Sequence, residues 1–541
     1  MNPGTAYKHA TITGDFDAIV IGSGIGGLGV AALLAKLAHK RVLVLERHYA
    51  VGGFTHTFTR PGYEWDVGVH YVGGVHDRAS ATSQWLEFLT EGRLDWAPMG
   101  EVYDRFLIGE ETYLFPAGRE RWRESMAHRF PRDAPVIDAY LSATAASNKW
   151  MGLYFAEKVM PSHLRRLAGP LMRAPFLRRG GRTTLEVLRG LTGNDELIGV
   201  LTGQWGDYGL PPAQSSFAAH AAIAEHYFEG AAYPVGGAGR IAAAVVPTIE
   251  HAGGQVVSAA EVQQILTTDG RARGVRMADG REFLAGTIIS DAGAINTYGR
   301  LIEPQPATAT VLAEMRTLPP SPGHLSLYVG LDVTSADASL PKANLWVHPT
   351  HDHDANWRRF AADPEAPMSL YVSFPSAKDP TFDARFPGHS TVEVLSFVPY
   401  AWFAPWERTR WAKRGPDYDA FKARFEERLT EALYTHVPAA RGHVAHAELS
   451  TPLSTRHFIN HEHGEAYGLG HTPARFLMRS LGPRTPIERL YLTGADVGLC
   501  GVMGALSGAV LCASAVLGRN VFGELAKKPA LVAGDSHDLR P

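Results

Sequence analysis

The sequence predicts an α/β fold in which one domain is assembled from three separated stretches of chain, while a mixed α+β domain and a helical subdomain occupy the gaps. Three observations carry this prediction. Residues 16–46 read as an apolar strand, a glycine turn, a helix and a second strand closed by Glu46. A second glycine-rich segment, Tyr233 to Arg240, leads through a helix into Gln255 to Ser258 and ends on the strand and turn Thr287 to Gly293. Near the far end, Arg489 to Asp496 is a buried strand with a turn, followed by a small-residue helix from about Cys500 to Leu517.

The first segment is a dinucleotide cradle of Rossmann-like type. Gly22 allows the sharp turn, Gly24 lets backbone approach a pyrophosphate, and Gly27 lets helix and strand pack closely, with Ile25 and Gly26 between them at the helix start. The helix N-terminus offers free N–H groups and partial positive charge to phosphate. Glu46, nineteen residues beyond Gly27, is placed to accept from ribose hydroxyls, with Arg47 beside it. The chain then runs into a second glycine pair, Gly52-Gly53-Phe54-Thr55, which flavoproteins of the amine-oxidase and desaturase type carry and a nicotinamide domain does not need. The dinucleotide read from this is FAD. Val257 and Asp291, in the second segment, are further expected contacts. In the third, Gly494 and Asp496 flank the turn, with Asp496 accepting from the ribityl hydroxyls; Gly501, Val502 and Met503 open a helix whose N-terminus points at the pyrimidine edge of the flavin. The alternative for Gly501, Gly504 and Gly508 is tight helix packing alone.

On this reading residues 16–75, 232–300 and 456–520 form the FAD domain, 76–231 a mainly helical region facing substrate or membrane, and 301–455 a mixed α+β substrate domain with a helix near Phe421 to Leu433. The 541 residues, 45% hydrophobic and 20% charged, describe a globular chain of two or three domains. A net charge of −3 gives no overall pull toward nucleic acid. Cys500 and Cys512 fall on one helix, too far apart along its axis for a disulfide, which fits a reducing cytosol. No apolar run reaches a membrane span and the first fifteen residues have no leader character.

Candidates for proton transfer are His70 and Tyr71, then His56, because imidazole titrates near neutrality and a neutral phenol can donate. Asp66 either holds this loop or orients His70. The serine-capped segment Gln214 to Phe228 walls a tunnel or packs as ordinary core, and its His220 and His226 are weaker acid or base candidates. Residues 149–182 combine Lys149, Lys158, Arg165, Arg166, Arg173, Arg178, Arg179 and Arg182 with bulky apolar residues; such a helix lies in a lipid interface or covers a core with a solvated basic face. His351 and His353, and the group His457, His461 and His463, lack helical i, i+4 pairing with a helper carboxylate, so no metal is expected.

Asp66 to Gly74 resembles the Asp-x-Gly-x-His-Tyr-x-Gly stretch of the retinol saturase family, and Glu91 to Trp96, Phe374 to Pro380 and Leu490 to Leu511 are similar to the same family. The likeness covers nearly the whole chain and extends, more distantly, to bacterial phytoene desaturases and carotenoid isomerases of the amine-oxidase-like superfamily. Ala495 departs from the glutamine expected between glycine and aspartate. The resemblance implies hydride transfer between flavin N5 and one carbon of a long apolar isoprenoid, retinoid, carotenoid or fatty-acyl chain, with a proton exchanged at the neighbouring carbon. Saturation and desaturation both fit. No second G-x-G-x-x-G follows a strand, so an external electron donor or acceptor is expected. The competing expectations are a redox-neutral double-bond isomerase, an amine oxidase, and a flavin-bearing lipid carrier without turnover. The expected location is cytoplasmic, with peripheral membrane docking.

Overall fold

The computed structural model describes residues 3–527. Its first sheet has eight strands. The parallel centre runs in the order Gln255–Ser258, Val42–Leu45, Phe16–Ile21, Glu282–Ser290 and Leu490–Leu492, so the three stretches of chain meet in one layer. All of Val42–Leu45, and all of Phe16–Ile21 but Asp17, are buried, which is why these strands read as continuous apolar runs rather than alternating ones. Thr5–Ala6 adds an outer strand beside Val257 and Ser258, so the sheet begins before residue 16. The start of Glu282–Ser290 pairs with the antiparallel hairpin Val262–Thr268 and Arg271–Met277, and its end pairs with Leu490–Leu492.

The helices Ile25–Ala38 and Gly501–Leu517 cross at glycine. A Cβ on Gly29 would lie 2.7 Å from the Leu506 side chain, and one on Gly508 would lie 2.2 Å from the Gly494 carbonyl oxygen. A Cβ on Gly504 would lie 2.5 Å from the Leu499 carbonyl, so both Gly504 and Gly508 are packing positions, and Gly504 also borders the cavity described below. Gly501 differs: its φ is +74° and its Cβ would meet nothing within 4 Å.

The second sheet has seven strands in the order Val444–Ser450, Gly323–Leu331, Ser390–Val398, Leu370–Ser373, Asn344–His348, Val102–Ile108 and Glu111–Pro116. Every pairing is antiparallel except that of Asn344–His348 with Val102–Ile108. The last two strands come from the region read as mainly helical. They form a short hairpin around Gly109-Glu110, and their period-2 pattern is brief beside the long helices Ala134–Val159 and Ser162–Gly180 that follow. The helix expected near Phe421 spans Pro416–His436. The serine-capped helix is Phe217–Tyr227, and Ser216 Oγ accepts from Ala218 N–H at 3.1 Å.

A small hairpin, Thr57–Arg60 with Tyr63–Asp66, joins the two sheets. Trp65 Nε1 donates to the Val329 carbonyl at 3.0 Å, and Asp66 N–H to Glu393 Oε1 at 2.8 Å. This pins the stretch after Asp66 at the boundary between the layers.

Candidate active site

One cavity of about 750 Å³ lies at that boundary. At one end its wall is the glycine turn, with Gly22, Gly24, Ile25 and Gly26, then Glu46 and Arg47, and the second pair with Gly52, Gly53, Phe54 and Thr55. The two turns touch, since a Cβ on Gly53 would lie 2.9 Å from Gly24 Cα. Gly501, Val502 and Met503 line the same space from the far end of the chain. Neither helix Ile25–Ala38 nor helix Gly501–Leu517 has a side-chain N-cap. Apart from the Gly27 amide, which Asp291 takes from behind, their first amides are left for another acceptor. Two uncapped N-termini around one glycine-lined cavity fit a dinucleotide with one anionic centre near each helix.

Glu46 Oε2 accepts from Ser23 N–H and Oγ–H at 2.8 and 2.7 Å, and Oε1 from His48 N–H at 2.7 Å, which fixes the carboxylate on the cavity wall. Asp291 sits behind the first turn and accepts from the Gly27 and Gly24 amides; burial pushes its carboxyl up to about 8. The raised carboxyl holds the turn with less negative charge opposing a phosphate. Asp496 accepts from Ala294 N–H at 2.8 Å and Leu469 N–H at 3.3 Å, clamping two loops at the cavity edge.

Four expected site residues do not line this cavity. Gly27 packs back on its own turn, where a Cβ would be 2.3 Å from the Gly22 carbonyl oxygen. Gly494 lies behind the first turn, with its own Cβ position 2.2 Å from Asp291 Oδ1. Val257 is 1% exposed and its carbonyl accepts from Glu46 N–H at 2.8 Å within the sheet. The wall at this strand end is Ala260, Glu261 and Val262 instead. His56 is buried below the second glycine pair, its Nδ1 2.5 Å from the Gly53 carbonyl oxygen; burial pushes its imidazole down to about 4.

The other end of the cavity is apolar and aromatic, lined by Trp205, Ile223, Tyr227, Trp346, Tyr371 and Phe397. His70 and Tyr71 enter it from the junction stretch. His70 Nδ1 lies 2.9 Å from Glu393 Oε2, out of line for a hydrogen bond. Burial pushes this imidazole down to about 3 and the Glu393 carboxyl up to about 8, so the pair is a contact between neutral groups. A neutral imidazole at the slot wall can accept a proton or donate a hydrogen bond but is not an imidazolium acid. His226 accepts from Gly73 N–H through Nε2 at 2.9 Å, and His220 sits between the Tyr140 and Tyr208 hydroxyls. Asp66 holds the loop, accepting from Ala238 N–H at 3.0 Å and Tyr233 O–H at 2.5 Å.

Sequence reasoning missed the polar floor under this slot. Lys378, 1% exposed, donates to the His70 carbonyl at 3.0 Å, to Ser373 Oγ at 2.7 Å and to Asn344 Oδ1. Asp104 and Asp207 both reach the Tyr71 hydroxyl. No spacing signal marks these residues, because their partners lie on other elements. Three of the loop histidines have local partners: His351 Nε2 is 3.0 Å from Tyr113 Oη, His353 Nε2 2.8 Å from the Gly199 carbonyl, and His461 Nδ1 2.5 Å from that of Glu465.

Residues 20–88 match the NAD(P)-binding Rossmann-like domain family. All-trans-retinol 13,14-reductase from Homo sapiens is 36% identical over 96% of this chain and 88% of its own length. The chain belongs to the all-trans-retinol 13,14-reductase family. By that membership it is an oxidoreductase acting on CH–CH bonds. Prolycopene isomerase of Arabidopsis thaliana is similar at 25% identity over 93% of this chain and 82% of that one. In fold, a crystal structure of an oxidoreductase from Methanosarcina mazei superposes with a TM-score of 0.59 at 17% identity, covering 91% of this chain and 98% of the other.

Proposed function

We propose that the chain binds FAD and reduces a carbon–carbon double bond of a retinoid or carotenoid. The observation that carries this is the continuity of one cavity: a glycine cradle served by two uncapped helices opens directly into an aromatic slot. FAD supplies hydride chemistry when bound. The residues hold and orient: Glu46 faces the ribose, the Gly24 to Gly26 turn the diphosphate, and Gly501 to Met503 the pyrimidine edge. The aromatic walls exclude water and align a flat polyene. Reducing equivalents come from a separate donor. The test mixes anaerobically photoreduced enzyme with all-trans-retinol and reads the product by mass spectrometry. A gain of two hydrogens with flavin reoxidation is expected. Isomers of unchanged mass would instead select the redox-neutral reaction of the prolycopene isomerase relatives, and no change with any retinoid or carotenoid would refute both.

The same proposal includes docking on a lipid surface, in a narrower form than the sequence suggested. Lys158 is buried and donates to the Val497 carbonyl, Arg165 is paired with Glu157 at 2.9 Å, and Arg173 is buried on the Phe476 carbonyl, so these cations are not part of a basic face. On helix Ser162–Gly180 the exposed residues include Leu164, Arg166, Leu167, Leu171 and Arg178, with Leu167 and Leu171 80% and 78% exposed. The preceding helix, Ala134–Val159, lines the cavity with Met151, Gly152 and Phe155. An apolar ridge rimmed by arginine beside the slot suits a lipid interface that delivers an insoluble substrate. Among the described residues no helix is long and apolar enough to cross a membrane. Wild-type protein is expected to float with anionic phospholipid vesicles and the Leu167→Asp/Leu171→Asp variant to stay in the pellet fraction; equal flotation of the two removes the docking role.

A further inference from the structure

The Tyr71 hydroxyl is within 3.1 Å of Asp104 Oδ2 and 2.9 Å of Asp207 Oδ2. A phenol carries one hydrogen and can donate to only one of them. The second contact is a hydrogen bond only if the other carboxyl carries a proton and donates to the phenol oxygen. Which carboxyl carries it follows from the other donors. Asp104 is fully buried and accepts from Gln204 Nε2 at 2.7 Å and Asn344 Nδ2 at 3.0 Å, the surroundings of an anion. Asp207 has no side-chain hydrogen bond other than that to Tyr71 among the described residues, and it lines the slot beside Tyr227.

We propose that Asp207 is the proton donor of the reaction, a neutral carboxylic acid stored on Tyr71 at the wall of the aromatic slot. This rests on the reading of the slot as the place where a double bond is reduced. The π bond breaks as one carbon takes a hydride from the reduced flavin, which is oxidised. Its neighbour takes the Asp207 proton, and Asp207 is left as a carboxylate. Tyr71 then stands between two anions, and that repulsion draws a proton back onto Asp207 from solvent before the next turnover. Burial, and then the neighbouring Asp104 charge, hold the Asp207 carboxyl well above its usual range. Of the groups facing it only Asp104 carries negative charge, its carboxyl raised to about 7 by burial against the donors Asn344, Gln204 and Tyr71; Tyr71, Tyr103, Tyr208, Tyr227, Tyr371, Tyr467 and Cys500 are neutral near pH 7.

The test is Asp207→Asn, which keeps size and a donor toward Tyr71 but has no transferable proton. Flavin content and melting temperature are expected to match wild type, while reoxidation of the reduced holoenzyme by all-trans-retinol slows at least ~100-fold and loses its dependence on the acid form at high pH. Independently of turnover, the deuterium-sensitive infrared carbonyl band of one protonated carboxyl should vanish in Asp207→Asn and persist in Asp104→Asn. Reoxidation within about threefold of wild type, or an unchanged band, overturns the assignment. A wild-type enzyme that no alkene reoxidises defeats the reductase reading and the donor role with it, while the band still decides whether Asp207 is the stored acid.

Discussion

Replacing Gly26 by alanine is expected to give protein that purifies without flavin. The added Cβ would lie 2.4 Å from Gly494 Cα, 2.6 Å from Asp291 Oδ1 and 2.8 Å from Gly494 N. Two of these are backbone atoms in a turn fixed by the strand Leu490–Leu492, and the third belongs to the carboxyl that accepts from the Gly24 and Gly27 amides. No side chain can swing aside, so the glycine turn must separate from the third stretch of chain. Overpacking of this kind costs about 1–3 kcal/mol, occasionally more. Here the displacement falls on both halves of the cradle at once, so flavin affinity should drop at least ~100-fold, about 2.7 kcal/mol. The measurement is flavin absorbance per protein, with melting recorded with and without added FAD. Gly92→Ala separates general destabilisation from cradle damage: its φ of +74° is strained by a Cβ, but nothing lies within 4 Å of that Cβ and Gly92 does not line the cavity. That variant should melt earlier and keep its flavin. Gly26→Ala protein with full occupancy would show that the two ends of the chain do not meet as described.

The contrast between these glycines also shows what the sequence could reveal. Gly22 to Gly26, Glu46 and the second glycine pair are legible as cavity wall because their geometry is local: one strand, one turn and one helix place them. Gly501 to Met503 were legible for the same reason. Val257 was not, because the position that reaches the cavity depends on where the strand ends and the hairpin begins, and the wall falls at Ala260 to Val262. Asp207 carries no motif at all. Its role comes from Tyr71, on the junction stretch, and Asp104, on a strand of the second sheet. Those partners lie 136 and 103 positions away in sequence (207 − 71 and 207 − 104). The strands Val102–Ile108 and Glu111–Pro116 were hidden similarly, since each finds its identity only by pairing beside Asn344–His348. His70 was legible as a site residue but not as a neutral one, because burial beside Lys378 decides its protonation.

The second large effect is expected at Lys378. Its ammonium is the cation nearest three buried carboxyls, Glu393, Asp66 and Asp104, and it donates to the His70 carbonyl, Ser373 Oγ and Asn344 Oδ1. Burial lowers its pKa to about 8, and the same burial raises Glu393 to about 8 and Asp66 and Asp104 to about 7. Near neutral pH the cluster therefore holds one cation against a charge shared among these acids. Lys378→Met keeps the length of the side chain and removes the cation and all three donors. Breaking a buried pair by deleting one partner costs about 3–5 kcal/mol, which should appear as a lower denaturation midpoint. The sign of the pH dependence follows from linkage. Without the ammonium the three carboxyls ionise less readily in the folded state, so folded protein binds more protons than unfolded protein above about pH 4. Stability is then lost as pH rises, and the deficit relative to wild type should be larger near pH 8 than near pH 6. The His70 carbonyl loses its donor in the same substitution, so the junction stretch that carries Tyr71 to Asp207 is freed at its root. Lys378→Met should accordingly slow reoxidation by substrate even where the protein remains folded and flavin-loaded. A deficit that is the same at both pH values would mean that the ammonium acts through its hydrogen bonds alone and does not balance the buried acids.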